Sequence, residues 1–317
     1  MNNLSLQEVF PEIIEIARFA PSVHNTQPWK VAQSADTIEI KLDRAHALFD
    51  GDPTGRQTTI SLGICAEAII MAAAEYGFSE DKVVLQNETL TISLKGAAVS
   101  VQKTALLRTR STDRSLYKPV TISEKTVQSI EGAGKNFGVH VQVVQDKHVI
   151  DKIAQFTSKG IGLALSNPNF RRELSRYLVG PWSHKKRGIS VKSLYINPIL
   201  ASLQPLFMRF GIGVSKEVSL EQKRWSSASA VIVITASGDL AQFWLATGRA
   251  YLRVSLAVEE SGLSQATSAA IVEASDYHED VENLLGTNQR ILSIIRIGKG
   301  KTHRYHSPRL EVQDLIT

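Results

Sequence analysis

Two short stretches hold side chains whose types and spacing suit chemistry. The first is Ala20–Trp29 (Ala-Pro-Ser-Val-His-Asn-Thr-Gln-Pro-Trp), where Ser22, His24, Asn25 and Gln27 put four hydrogen-bonding groups into one loop. A loop so dense in donors and acceptors, closed by Pro28 and Trp29, suits a planar polar ligand with several edges to read. It equally suits a well-satisfied turn, because turns use the same residue types. The second stretch is Arg108-Thr-Arg-Ser-Thr-Asp-Arg114, in which Arg110, Thr112 and Arg114 alternate and, in extended chain, project on one side. Two guanidinium groups flanking a hydroxyl make a phosphate cradle, since Arg is permanently charged and donates in pairs. A solvated basic linker has the same composition.

Other chemistries find little support. The single cysteine, Cys65, lies in an Ala/Ile-rich helical run and reads as a buried, inert thiol. His303 and His306 stand three apart without carboxylate or thiolate company, so no metal site is expected. No side-chain nucleophile or acid–base pair stands out, and no Gly-x-Gly-x-x-Gly follows a strand, which argues against a dinucleotide domain of the doubly wound kind. The formal charge of +5 would suit nucleic acid, an anionic membrane or a phosphorylated cofactor. Without a helix-turn-helix, zinc-finger or aromatic RNA-binding signature, the cofactor needs the fewest assumptions. No signal peptide is read at the N-terminus, and no stretch reaches the roughly 18 apolar residues of a membrane span. The expectation is a cytoplasmic protein with a small-molecule partner and neither nucleic acid nor membrane.

These loops need elements to hold them. Leu6, Val9, Phe10, Ile13 and Ile16–Ala17 recur at helical spacing, and Pro21 should end that helix. Ile38–Leu42 alternates as a strand, Ile60–Tyr76 is a strongly apolar helix ended by Gly77, and Val83–Gln86 and Leu90–Leu94 read as strands around a turn. Further on come helix Ser123–Ala133 with Ser123 as N-cap, strand Val139–Val144, helix His148–Ala164, strand Ala230–Ala236, helix Ala241–Ser261 and strand Ile291–Ile297. The fold class is α+β.

The chain also resembles itself. Ser5–Ala17 matches Thr121–Ala133 at an offset of 116, and Gly63–Ser79 matches Gly248–Ser264 at an offset of 185, pairing Gly63 with Gly248 and Glu75 with Glu260. Two matches in the same order argue for duplication, with halves at 1–104 and 105–317. The halves are complementary: the first has the Ser22–Gln27 loop, and the second has the arginines.

Ala20-Pro-Ser-x-x-Asn25-x-Gln27-Pro-Trp29 resembles the loop of the flavin-dependent nitroreductase superfamily that lies against FMN, and the His before the Asn resembles its fused, Acg-type branch. Arg110-x-Thr112-x-Arg114 is similar to the family's Arg-x-Ser-x-Arg element near FMN phosphate and ribityl groups. The resemblance implies two fused halves forming a pseudo-dimer, each a mostly antiparallel sheet flanked by helices. It implies one composite FMN site per chain, with Ser22, His24, Asn25 and Gln27 toward the ring and Arg110, Thr112 and Arg114 toward the phosphate. Thr267 and Ser268 fall where the family's backbone meets the flavin N5 and O4 edge. Arg309 fits the late basic residue that closes on the phosphate, with Lys301 and Arg304 as weaker candidates. A fused unit could be monomeric.

Residues 167–227 have no counterpart in the first half. They combine basic clusters with apolar runs and read as extra packing helices, as a lid over the flavin, or as a basic amphipathic segment on a membrane surface. Two functions follow from the resemblance. One is an FMN-dependent oxidoreductase passing electrons from NAD(P)H to nitroaromatics, quinones or a related acceptor; the other is an Acg-type protein that sequesters FMN and turns over poorly.

Overall fold

Ser5 opens the first helix, α1 (Leu6–Ala17), through a reciprocal cap in which Glu8 N–H meets Ser5 Oγ and the Glu8 carboxylate accepts from Ser5 N–H. The computed structural model describes residues 4–301 and 305–317. His303 and Arg304 therefore lie outside the described residues. After α1 come β1 (Trp29–Ser34), β2 (Thr37–Leu42), α2 (Arg56–Glu75), β3 (Phe78–Gln86) and β4 (Thr89–Gly96). The strands form one antiparallel sheet in the order β1-β2-β4-β3.

After this sheet come the short α3 (Ala105–Thr109), then α4 (Glu124–Ala133), capped by Ser123, and β5 (His140–Val144). Next come α5 (Lys147–Ser166), α6 (Pro168–Tyr177), the parallel pair β6 (Leu178–Val179) and β7 (Ile189–Ser190), α7 (Pro198–Phe210) and α8 (Val214–Ser226). Then follow β8 (Ala230–Ala236), α9 (Ala241–Glu260), β9 (Ser264–Thr267), α10 (Ala270–Glu273), α11 (Tyr277–Leu285), β10 (Arg290–Gly298) and α12 (Val312–Leu315). A second antiparallel sheet runs β5-β8-β10-β9. Each four-stranded sheet thus runs first, second, fourth, third, and in each the long helix α2 or α9 lies between the second strand and the third. The two sheets differ at the link between their first two strands. In the first sheet it is a tight turn at Ala35–Asp36; in the second it is the whole of 145–229, which contains the 167–227 insertion.

α2 and α9 pack on each other at the centre, and the core around them takes buried residues from both sheets, including Ile38, Ile92, Ile232 and Ile295. α2 corrects one expectation. By length and composition alone Arg56–Glu75 is apolar enough to cross a bilayer, although Arg56, Gln57, Glu67 and Glu75 interrupt it in sequence. Its small Ala, Gly and Ser residues let α9 approach closely, so most of α2 is buried inside the protein. The C-terminal tail returns to the first half, where Thr317 N donates to Val31 O and Leu315 is buried.

Candidate functional site

The Ser22–Gln27 loop follows a left-handed path. His24, Asn25 and Gln27 have φ of 46°, 54° and 47°, a region unfavourable to side chains with a β-carbon. Hydrogen bonds hold it there: Gln27 N donates to Ser22 Oγ (2.9 Å), Asn25 N to Ser22 O (2.9 Å) and Val23 N to Ser61 Oγ of α2 (3.0 Å). The loop then splits its side chains. Ser22 and His24 line a cavity of about 590 Å³, whereas Asn25 and Gln27 turn into the protein and are buried.

Asn25 Nδ2 donates to the carbonyls of Gly188 (3.0 Å) and Pro308 (2.9 Å), and its Oδ1 accepts from Arg309 (2.8 Å). Gln27 Nε2 donates to Lys186 O (2.8 Å), while its Oε1 accepts from Leu310 N (2.9 Å). Arg187 completes the seam by donating to Thr26 O (2.9 Å) and pairing with Asp43 (3.1 Å). These two amides join three distant segments of chain and do not face the cavity.

The arginine element also divides. Arg114 lines the large cavity and donates to Ser193 Oγ (3.2 Å). Arg110 lines a small neighbouring cavity of about 50 Å³ together with Ser111 and Arg309, and Thr112 borders both. The expected projection of Arg110, Thr112 and Arg114 on one side is therefore corrected. The segment leaves α3 and, among the described residues, makes one isolated bridge, Thr112 to Gln265, so it does not adopt the regular pleat that would align them. Thr267 and Ser268 reach the large cavity from the end of β9; Thr267 Oγ1 donates to Ile294 O (2.7 Å). Lys301 N meets Asp113 Oδ2 (3.1 Å), and Lys301 lines neither cavity.

Charge is unevenly spent around these spaces. Arg224 is held by Glu217 (2.6 Å) and Glu221 (3.3 Å), and Arg296 donates to three carbonyls while lying 4.1 Å from the Tyr117 ring centroid. Among the described residues no carboxylate pairs with Arg114, whose guanidinium is pushed down by burial and by Arg224 and Arg296, against the pull of Glu221. In the small cavity, burial together with Arg110 and Arg18 lowers Arg309 to about 9. His24, facing Phe170 of α6 at 6.5 Å between ring centroids, is lowered to about 4 by burial and by Arg114. It is neutral at pH 7, and its Nδ1 is enclosed without a partner among the described residues.

Several cavity residues carry no signal in the sequence. Tyr251 reads there as part of an apolar helix face, yet it lines the cavity with its hydroxyl pKa raised by burial. Ser61, Arg224 and Arg296 reach the same space from α2, α8 and β10. Asp276, His278 and Glu279 could converge on a cation, but they line neither cavity and two of the three are exposed.

No family model matches the chain. In sequence it is similar to proteins that carry the name NAD(P)H nitroreductase. Rv3131 of Mycobacterium tuberculosis is 23% identical over 176 residues, covering 53% of this chain and 50% of Rv3131. PigM of Serratia sp. is 26% identical over 192 residues, covering 56% and 54%. It is also similar to acg of M. tuberculosis, 30% identical over 70 residues, 22% of this chain and 21% of acg. The chain thus matches about half the length of the first two relatives and a fifth of acg. Among solved structures, the FMN- and NADPH-dependent nitroreductase NfnB from Sphigopyxis sp. has a TM-score of 0.45 at 14% identity, covering 68% of this chain and 98% of that one. A nitroreductase with bound FMN from Desulfitobacterium hafniense gives 0.43 at 13%, covering 69% and 98%. These scores are low, and the fold described above rests on its own strands and helices.

Proposed function

We propose that the two adjoining cavities hold FMN and that the protein is an FMN-dependent NAD(P)H oxidoreductase. The observation that carries this reading is the pairing of a chamber large enough for a planar ring with a small one walled by Arg110 and Arg309, Thr112 standing between them. The residues fit a phosphorylated cofactor. Arg309 is a half-buried cation with no carboxylate partner among the described residues; its terminal nitrogens donate to Asn25 Oδ1 and to the carbonyls of Phe19, Ser307 and Pro308, while its enclosed Nε has no hydrogen-bond partner there and remains for an anion. Bound FMN supplies hydride transfer at N5 between NAD(P)H and an electron-poor acceptor.

The chain's own residues position and shield. Arg110 and Arg309 neutralise the phosphate end, and Ser111 adds a hydroxyl. Arg114 puts permanent positive charge on the ring chamber, where charge on a reduced ring is stabilised most in a low-dielectric setting. Neutral His24 and Tyr251 offer polar edges without a competing charge. Nitroaromatics and quinones are the acceptors this chamber would admit, and the two halves would act as a fused pair of nitroreductase-like subunits sharing one site.

One observation favours a second reading, an Acg-like protein that sequesters flavin. Covering residues from α6 and α7 line the large cavity, and the 186–188 segment is bound to the Thr26–Gln27 backbone and side chains. A cover fixed in this way slows exchange. The test is the absorbance spectrum of the purified protein, followed by anaerobic addition of NADPH or NADH. Flavin bands that bleach rapidly support the reductase, and bands that persist support sequestration. A colourless protein that does not take up added FMN removes both.

A further inference from the structure

The insertion carries an outward surface that the flavin reading does not use. On α7, Ile199, Leu203, Leu206 and Phe210 recur at spacings of four, three and four, so they form one stripe about 17 Å long. All four are exposed, Ile199 at 68% and Phe210 at 66%. Leu200 and Ile212 flank the stripe, while Ala201 on the opposite side is buried and Gln204 and Met208 border the cavity. Just upstream, the loop that follows β6, which packs on α7, exposes Trp182 at 67%. A water-facing helix gains nothing from such a stripe, and contiguous exposed apolar surface marks a contact site.

The charge around the stripe selects the contact. Residues 180–216 contain six Lys or Arg and no Asp or Glu, in a chain with 31 acidic residues. Lys186 and Arg187 turn to Glu311 and Asp43, leaving Lys185, Lys192, Arg209 and Lys216 exposed in the same stretch of chain, with Arg209 against the Phe210 ring. A second copy meeting this face through a two-fold axis would bring two like-charged surfaces together. A surface that is negative outside and apolar beneath satisfies both features at once, with Trp and Phe seated at the boundary and the basic heads among the anionic groups. We infer that the α7 face of the insertion docks on an anionic lipid bilayer surface, lying in its interface without spanning it.

Flotation of the purified holoprotein with vesicles tests this. Vesicles of phosphatidylcholine mixed with phosphatidylglycerol carry the protein upward at low salt, whereas phosphatidylcholine alone does not, and high salt reverses the binding. The double substitution Leu206→Ser/Phe210→Ser and the charge reversal Lys185→Glu/Lys192→Glu each weaken binding about tenfold, with circular dichroism and melting temperature unchanged because every altered side chain is exposed. Failure to float with the anionic vesicles overturns the inference, as does equal binding to neutral ones or wild-type binding by both variants. Light scattering that shows a dimer dissolved by Leu206→Ser/Phe210→Ser also overturns it, by assigning the face to a second copy.

Discussion

Gly63 and Gly248 face each other where α2 crosses α9, and each lies against the carbonyl of the other helix. A β-carbon on Gly63 would stand 2.3 Å from Leu245 O, and one on Gly248 would stand 2.1 Å from Ile60 O. Both pairs, Gly63 with Gly248 and Ile60 with Leu245, are separated by 185 positions, the offset at which the two helices match in sequence. The contact is reciprocal, residue for residue, as in a two-fold interface between identical subunits. We take it as support for the proposal that the halves descend from one duplicated unit.

Gly63→Ala and Gly248→Ala should therefore each destabilise the protein by about 2–3 kcal/mol, since the added methyl meets backbone that only a helix shift relieves. The control is Gly132→Ala in α4, where a β-carbon meets nothing within 4 Å. That change should be neutral or stabilise by up to about 1 kcal/mol through helix propensity. Urea unfolding measures all three.

His24 sets an acid limit. Its pKa is about 4 folded against 6.5 for the ordinary side chain, so below pH 6.5 the unfolded chain takes up a proton that the folded one refuses. Its contribution is unaffected above pH 6.5 and stability falls as the pH drops from 6.5 toward 4, by about 3 kcal/mol in all. His24→Asn, which tolerates the positive φ, should flatten that part of the curve when unfolding is followed across the range.

Arg309 has the opposite consequence for binding. Its charge costs stability below pH 9 in the empty protein, and the cost is relieved as the pH rises from about 9 toward the ordinary arginine value. An anion beside it removes the same cost at neutral pH. Arg309→Gln gives up the bond to buried Asn25 Oδ1 and should cost the flavin-free protein about 1–2 kcal/mol, and beyond that loss it should forfeit most of the melting-temperature gain that added FMN produces in wild type. An unchanged gain would take Arg309 out of the proposed phosphate site.

Glu173 ties α6 of the covering segment to the first half. Its carboxylate accepts from the backbone N–H of Phe49 (2.7 Å), Asp50 (3.2 Å) and Gly51 (2.7 Å). Glu173→Gln swaps one acceptor oxygen for a donor facing those donors, and should cost about 2 kcal/mol. Amide hydrogen exchange should accelerate first at residues 49–51, and FMN should dissociate faster than from wild type.

Local signals carried the elements, and long-range ones were silent. β8 matches its expected limits because Ala230–Ala236 is an apolar run, interrupted only by Thr235, that is buried on both faces. β1 (Trp29–Ser34) escaped, since Ala32 and Gln33 reverse the alternation that Trp29–Val31 begins, and its pairing with β2 is what makes it a strand. At the site, the loop and the arginines were legible as hydrogen-bonding and cationic clusters. Which way each side chain turns was not. Asn25 and Gln27 look like ligand-reading groups in isolation, but their partners at 186–188 and 308–310 lie far along the chain. Tyr251 had no local mark because a helix face looks the same whether it meets core or cavity.

The unequal link between the first two strands of each sheet also sets the order of assembly. In the first sheet β1 and β2 leave the ribosome together and close across Ala35–Asp36, a local pairing with little loop entropy to overcome. In the second, β5 emerges with its partner β8 still behind the whole of 145–229, and β10 later still. For that interval β5 exposes an unpaired edge, so the newly made chain depends on its finished first half and on α4 to shelter that strand until the second sheet closes.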